Sequence, residues 1–108
     1  MKKKTTSIIN TFTQEQMDNY NNACEIIDGF CIHILPESLL EEMKEVTARL
    51  ISGEKLNFKA EILEWCDNNS WGYGKAKFSK YPKYAQKRYI ENIEKSISLI
   101  YDDISLYW

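Results

Sequence analysis

The chain predicts an all-α fold, a compact bundle of about four helices closed by a long C-terminal one, and three observations carry that expectation. Ile90, Ile93, Ile97, Ile100, Ile104 and Tyr107 recur at steps of 3, 4, 3, 4 and 3. Such spacing draws one apolar stripe along a helix about 24 residues and roughly 36 Å long, lying within 82–107. Met17, Tyr20, Cys24, Ile27, Cys31 and Ile34 repeat the same steps near the start. The third observation is size: 108 residues supply one self-sufficient core and little more than a single layer of helices to cover the long stripe.

In chain order, residues 1–12 read as a flexible N-terminal segment and residues 13–108 as a single helical domain. Lys2, Lys3 and Lys4 precede an apolar patch of only Ile8 and Ile9, short of the roughly 7–15 apolar residues of a secretion signal. Thr13 opens the first helix, over 14–35. Thr13 and Gln16 have capping-box spacing, and Phe12 and Met17 stand where a hydrophobic staple would. The stripe keeps its phase through Gly29, which favours one continuous helix carrying a glycine that costs about 1 kcal/mol. The alternative is an α+β fold with a short strand near 30–35, because Phe and Ile favour strands.

Pro36 ends what precedes it. The second helix, over 37–52, opens with Pro36 as its first residue or with Ser38 and Glu41 as a second capping box. It buries Leu39, Met43, Val46 and Leu50 and stops at Ser52-Gly53. A third helix, over 57–67, buries Phe58, Ile62, Trp65 and Cys66 and closes at Asn68-Asn69-Ser70. Trp71 to Tyr81 reads as irregular, with Gly72 and Gly74 denying it a regular helix, and Pro82 suits the first position of the last helix.

The net charge of −2 hides an uneven distribution: residues 1–70 hold 7 basic and 12 acidic side chains, residues 71–108 hold 7 and 4. No run approaches the about 18 apolar residues of a membrane span. Three cysteines match no disulfide scaffold, so a reducing cytoplasm is the expected home.

Two charged stretches are candidates for binding. Glu37, Glu41 and Glu45 stand four residues apart on the second helix with Glu42 beside them, and like charges so spaced repel by a few tenths of a kcal/mol per pair. They form either a solvated face, with Glu41–Lys44 and Glu45–Arg49 as internal pairs, or a row of carboxylates that plugs a partner's basic cleft. Between Trp71 and Tyr89, Lys75, Lys77, Lys80, Lys83, Lys87 and Arg88 alternate with aromatic residues and no acid. This mixture suits single-stranded nucleic acid. Lys83, Lys87 and Arg88 at the start of the last helix and Asp102 and Asp103 at its end also oppose the macrodipole preference. The plainest account is neutralisation by acids of an antiparallel neighbour. Within Trp71-Gly72-Tyr73-Gly74-Lys75, Trp71 and Tyr73 are candidate interface anchors on irregular backbone, with Lys75 beside them.

No enzyme is expected. Cys24, Cys31, His33 and Cys66 could make a Cys₃His set, but there is no C-x₂₋₄-C pair and the thiols fall on apolar faces, where free Cys packs as a small hydrophobe. No metal, cofactor or catalytic residue is therefore assigned.

With these residues in view, the chain resembles the small immunity proteins that protect bacteria from polymorphic toxins, including those of contact-dependent growth inhibition. The likeness rests on size, mild acidity, the acidic helix (Glu37, Glu41, Glu42, Glu45) and the lack of catalytic machinery, and it carries over no site residue. It implies a cytoplasmic protein that binds one nuclease-type toxin and blocks its active cleft. The partner would be the cognate toxin's basic nuclease domain. A phage-type inhibitor of a host nuclease would look the same, and a nucleic-acid-binding regulator using 71–89 is the alternative.

Overall fold

The computed structural model describes residues 7–30, 35–72 and 75–108. The capping box forms as its spacing requires: the Thr13 hydroxyl accepts from Gln16 N at 3.2 Å, and Gln16 Oε1 accepts from Thr13 N at 2.9 Å. These bonds launch α1 (Gln14–Gly29). Ahead of it, residues 7–9 are helical, and Phe12 meets the Tyr20 ring edge-on at 6.0 Å. Residues 1–6 of the segment expected to be loose lie outside the described residues.

α1 ends at Gly29, capped by Phe30, and residues 31–34 of the helix expected to reach 35 lie outside the described residues. Cys31 and Ile34, the last members of its apolar stripe, lie outside with them. So does most of the alternative strand, and among the described residues there is no strand. The buried centre of α1 is Ala23 and Ile27, four residues apart, with Cys24 half-buried at the edge.

α2 (Glu37–Ile51) has Pro36 as N-cap with no side-chain cap bond. The Ser38–Glu41 capping box does not form, because the extended backbone of Pro36 starts the helix and Ser38 falls inside its first turn. Leu39, Leu40, Met43, Val46, Thr47, Ala48, Leu50 and Ile51 are all buried, a wide arc that packs α2 between α1 and α3. Buried Thr47 satisfies its hydroxyl by donating to Met43 O at 2.7 Å. Gly53, at φ +106°, closes the helix. Gly53 N donates to Leu50 O and Glu54 N to Arg49 O, the paired bonds of a Schellman turn. Gln16 Nε2 donates to Ile51 O at 3.2 Å, which pins the start of α1 to the end of α2 and makes the two antiparallel.

α3 (Phe58–Asn68) begins at Asn57, whose side chain accepts from Ala60 N at 3.0 Å, and buries Phe58, Ile62 and Cys66. A 3₁₀ turn (Ser70–Gly72) and a short α4 (Lys75–Ser79) follow, so the stretch read as irregular contains one helical turn and a half. α4 escapes the sequence because one buried residue, Phe78, has no apolar repeat to announce it. α5 (Lys83–Ile104) starts one residue after the expected first position, with Pro82 as N-cap, and tightens into a 3₁₀ turn (Ser105–Tyr107). Ile93, Ile97, Ile100 and Ile104 are buried, and the stripe packs against both α1 and α3. No helix of the described residues is long and apolar enough to cross a membrane.

Candidate functional site

α2 turns its carboxylates in two directions. Glu37 and Glu41 are exposed and Glu45 is half-buried, four residues apart along one line. Glu42 leans toward α3, half-buried, where Glu45 and Glu61 surround it. Burial first, then the repulsion and hydrogen bonding of Glu45, push the Glu42 carboxyl up to about 7 against the pull of Arg49. Near neutrality the Glu42–Glu45 pair therefore holds part of a proton.

The internal pairs expected for this row do not form. Lys44 reaches Asp28 of α1 at 2.6 Å rather than Glu41, and Arg49 meets Glu54 at 3.2 Å rather than Glu45. The second choice follows from the backbone, because the Schellman turn that bonds Glu54 N to Arg49 O folds Glu54 back over the guanidinium. Lys44 is half-buried, which disfavours its charge. The Asp28 carboxylate outweighs that, and the ammonium's pKa rises above its ordinary value. Glu37, Glu41, Glu42 and Glu45 form no ion pair among the described residues, since the two cations of their own helix are committed elsewhere.

The loop anchors are used differently from expectation. Trp71 packs half-buried against the core in a left-handed conformation (φ 58°, ψ 33°), preceded by Ser70 at φ 46°, and its carbonyl accepts from Tyr89 Oη at 3.1 Å. Tyr73 lies outside the described residues. Lys75 is exposed and lines an open cleft of about 510 Å³ with Ser38, Trp65, Asp67, Asn68 and Ser70. The structure thus brings Lys75 and the Trp71 turn beside the first turn of the acidic helix. A second open cleft, about 520 Å³, lies between Lys55, Lys59, Phe58, Tyr101 and Trp108. Its wall is a ring cluster in which Phe58 and Trp108 stack at 5.7 Å and Lys59 Nζ sits 5.1 Å from the Tyr101 centroid.

Among the described residues, no acid of an antiparallel neighbour pairs with Lys83 or Lys87, contrary to expectation. Lys80, Lys83, Lys87 and Arg88 are exposed, and none has a carboxylate within ion-pair distance among the described residues. Tyr84, one of the aromatic residues alternating with these cations in the sequence, stands 78% exposed among them.

The thiols are turned inward. Cys66 is fully buried and burial pushes it up to about 12; Cys24 is raised too, by burial, beside Tyr20. Both are held as thiols, poor nucleophiles and poor ligands. Cys31 and His33 lie outside the described residues, and among the rest no three His, Cys, Asp or Glu side chains converge as a metal site. Set beside known proteins, the chain matches no family model, no curated sequence and no solved structure.

Proposed function

We propose that this chain is a toxin-neutralising immunity protein that binds a nuclease-type toxin and blocks its active cleft. The observation that carries this reading is the acidic row on α2: Glu37, Glu41 and Glu45 have no ion-pair partner among the described residues and stand on a helix whose own cations serve Asp28 and Glu54. A nuclease must hold phosphates and so presents a cationic cleft. Carboxylates fixed along one helix match such a cleft, steer the encounter and raise the on-rate at low salt. Repulsion within the row and around Glu42 is relieved when a partner's cations arrive, so energy withheld from folding becomes available to binding. Lys75 and the neighbouring cleft extend the face at the start of α2. The protein acts without turnover, in the cytoplasm, where its target would be active.

The test is association kinetics with the captured partner. Glu41→Lys and Glu45→Lys slow association roughly tenfold at low salt and much less at high salt, while the melting temperature barely moves. Equal rates for wild type and variants would remove the acidic row from the interface.

A further inference from the structure

We infer that the corner between α4 and α5 is a binding surface for single-stranded nucleic acid, with Lys80, Lys83, Lys87 and Arg88 holding phosphates and Tyr84 stacking on a base. This goes beyond the inhibitor reading and uses the basic stretch of the chain rather than the acidic helix.

The corner is built rigidly. Phe78 is buried between the rings of Tyr81 and Tyr89 at 6.2 and 5.9 Å, and Gln86 Nε2 donates to both Phe78 O (3.2 Å) and Tyr81 O (2.9 Å). Tyr89 in turn holds the Trp71 carbonyl. Four of the aromatic residues that looked available in the sequence, Trp71, Phe78, Tyr81 and Tyr89, therefore serve as the corner's own packing. Tyr84 alone among the described ones is spent outward, at 78% exposure.

On α5, Tyr84 shares one face with Lys87 and Arg88, three and four residues on. A ring beside two cations on a helix already fixed at its base loses little freedom on binding. The charges are not placed for the fold. Lys83 occupies the first turn of α5, where the helix dipole disfavours a cation, and no acid stands there to offset it.

The surroundings choose the partner class. A protein interface needs a desolvated apolar centre, and the exposed residues around Tyr84 along the chain are Lys80, Pro82, Lys83, Lys87 and Arg88, with Glu91 the first acid two turns on along the same face. Phosphates require no such centre, and one exposed ring between cations is the arrangement that stacks a base while its backbone is gripped. The net charge of −2 does not prevent this, because the field beyond about 10 Å is screened at 0.1 M salt and the molecule is 47 Å long.

The probe is a labelled twelve-nucleotide oligo(dT) followed by fluorescence anisotropy on the full chain. Binding at 50 mM salt weakens roughly 20- to 50-fold at 200 mM, as three or four phosphate contacts demand. Lys83→Gln/Lys87→Gln/Arg88→Gln weakens it at least tenfold, and Tyr84→Ala at least fivefold, with melting temperatures equal to or above wild type, which shows that the variants fold. No anisotropy change at 50 mM salt, or equal binding by the triple variant, overturns the proposal. Displacement by polyglutamate as readily as by unlabelled oligo(dT) also overturns it, in favour of an acidic protein. Tight binding by a duplex, unaffected by Tyr84→Ala, overturns the single-strand assignment.

Discussion

Glu42 shows how one side chain can be set against its own fold. Ionised, it is disfavoured by burial and by Glu45, whereas the unfolded chain releases its proton near the ordinary value of 4.5. The folded protein therefore holds more protons between about 4.5 and about 7. The stability associated with protonated Glu42 is complete below 4.5 and lost as pH rises through about 7. Glu42→Gln accordingly raises stability at pH 8 by about 1 kcal/mol, allowing for solvent screening of a half-exposed group, and leaves it unchanged at pH 4. Urea denaturation at the two pH values reads this directly. An equal effect at both would mean that the carboxyl titrates normally. The ion pairs at this scale were not legible in the sequence. Lys44 and Arg49 each have acids at helical spacing, and the approach of α1 and the turn after α2 chose Asp28 and Glu54 instead.

Elements were more legible, because periodicity and capping are local. The Thr13–Gln16 box was readable since nothing competes for those groups, and Thr13→Ala should cost about 1 kcal/mol in thermal or urea melts. The identical signature at Ser38 and Glu41 misled because Pro36 had already started the helix. The four buried isoleucines of α5 were legible for the same reason as Thr13: a 22-residue helix repeats its message. Ile97→Ala should cost about 2–5 kcal/mol, lowering the urea midpoint without changing the slope. α4 lay beyond periodicity because it is five residues long.

At the scale of the whole molecule, the uneven division of charge between residues 1–70 and 71–108 is the feature that outlasts the details. That division could be counted from the sequence. Whether its charges cancelled internally could not, since this depends on which helices become neighbours. The packing leaves Glu37, Glu41, Glu42 and Glu45 of α2, and Lys80, Lys83, Lys87 and Arg88 at the α4–α5 corner, without ion-pair partners among the described residues. The acidic row carries the inhibitor reading.

The most direct test is to recover the partner from the source cells and titrate its nucleolytic activity with wild type and with Glu41→Lys/Glu45→Lys. The account predicts stoichiometric inhibition by wild type and at least a tenfold loss of inhibitory potency in the variant at low salt, with both proteins equally folded. A partner unaffected by wild type, or inhibited equally by both, would contradict it.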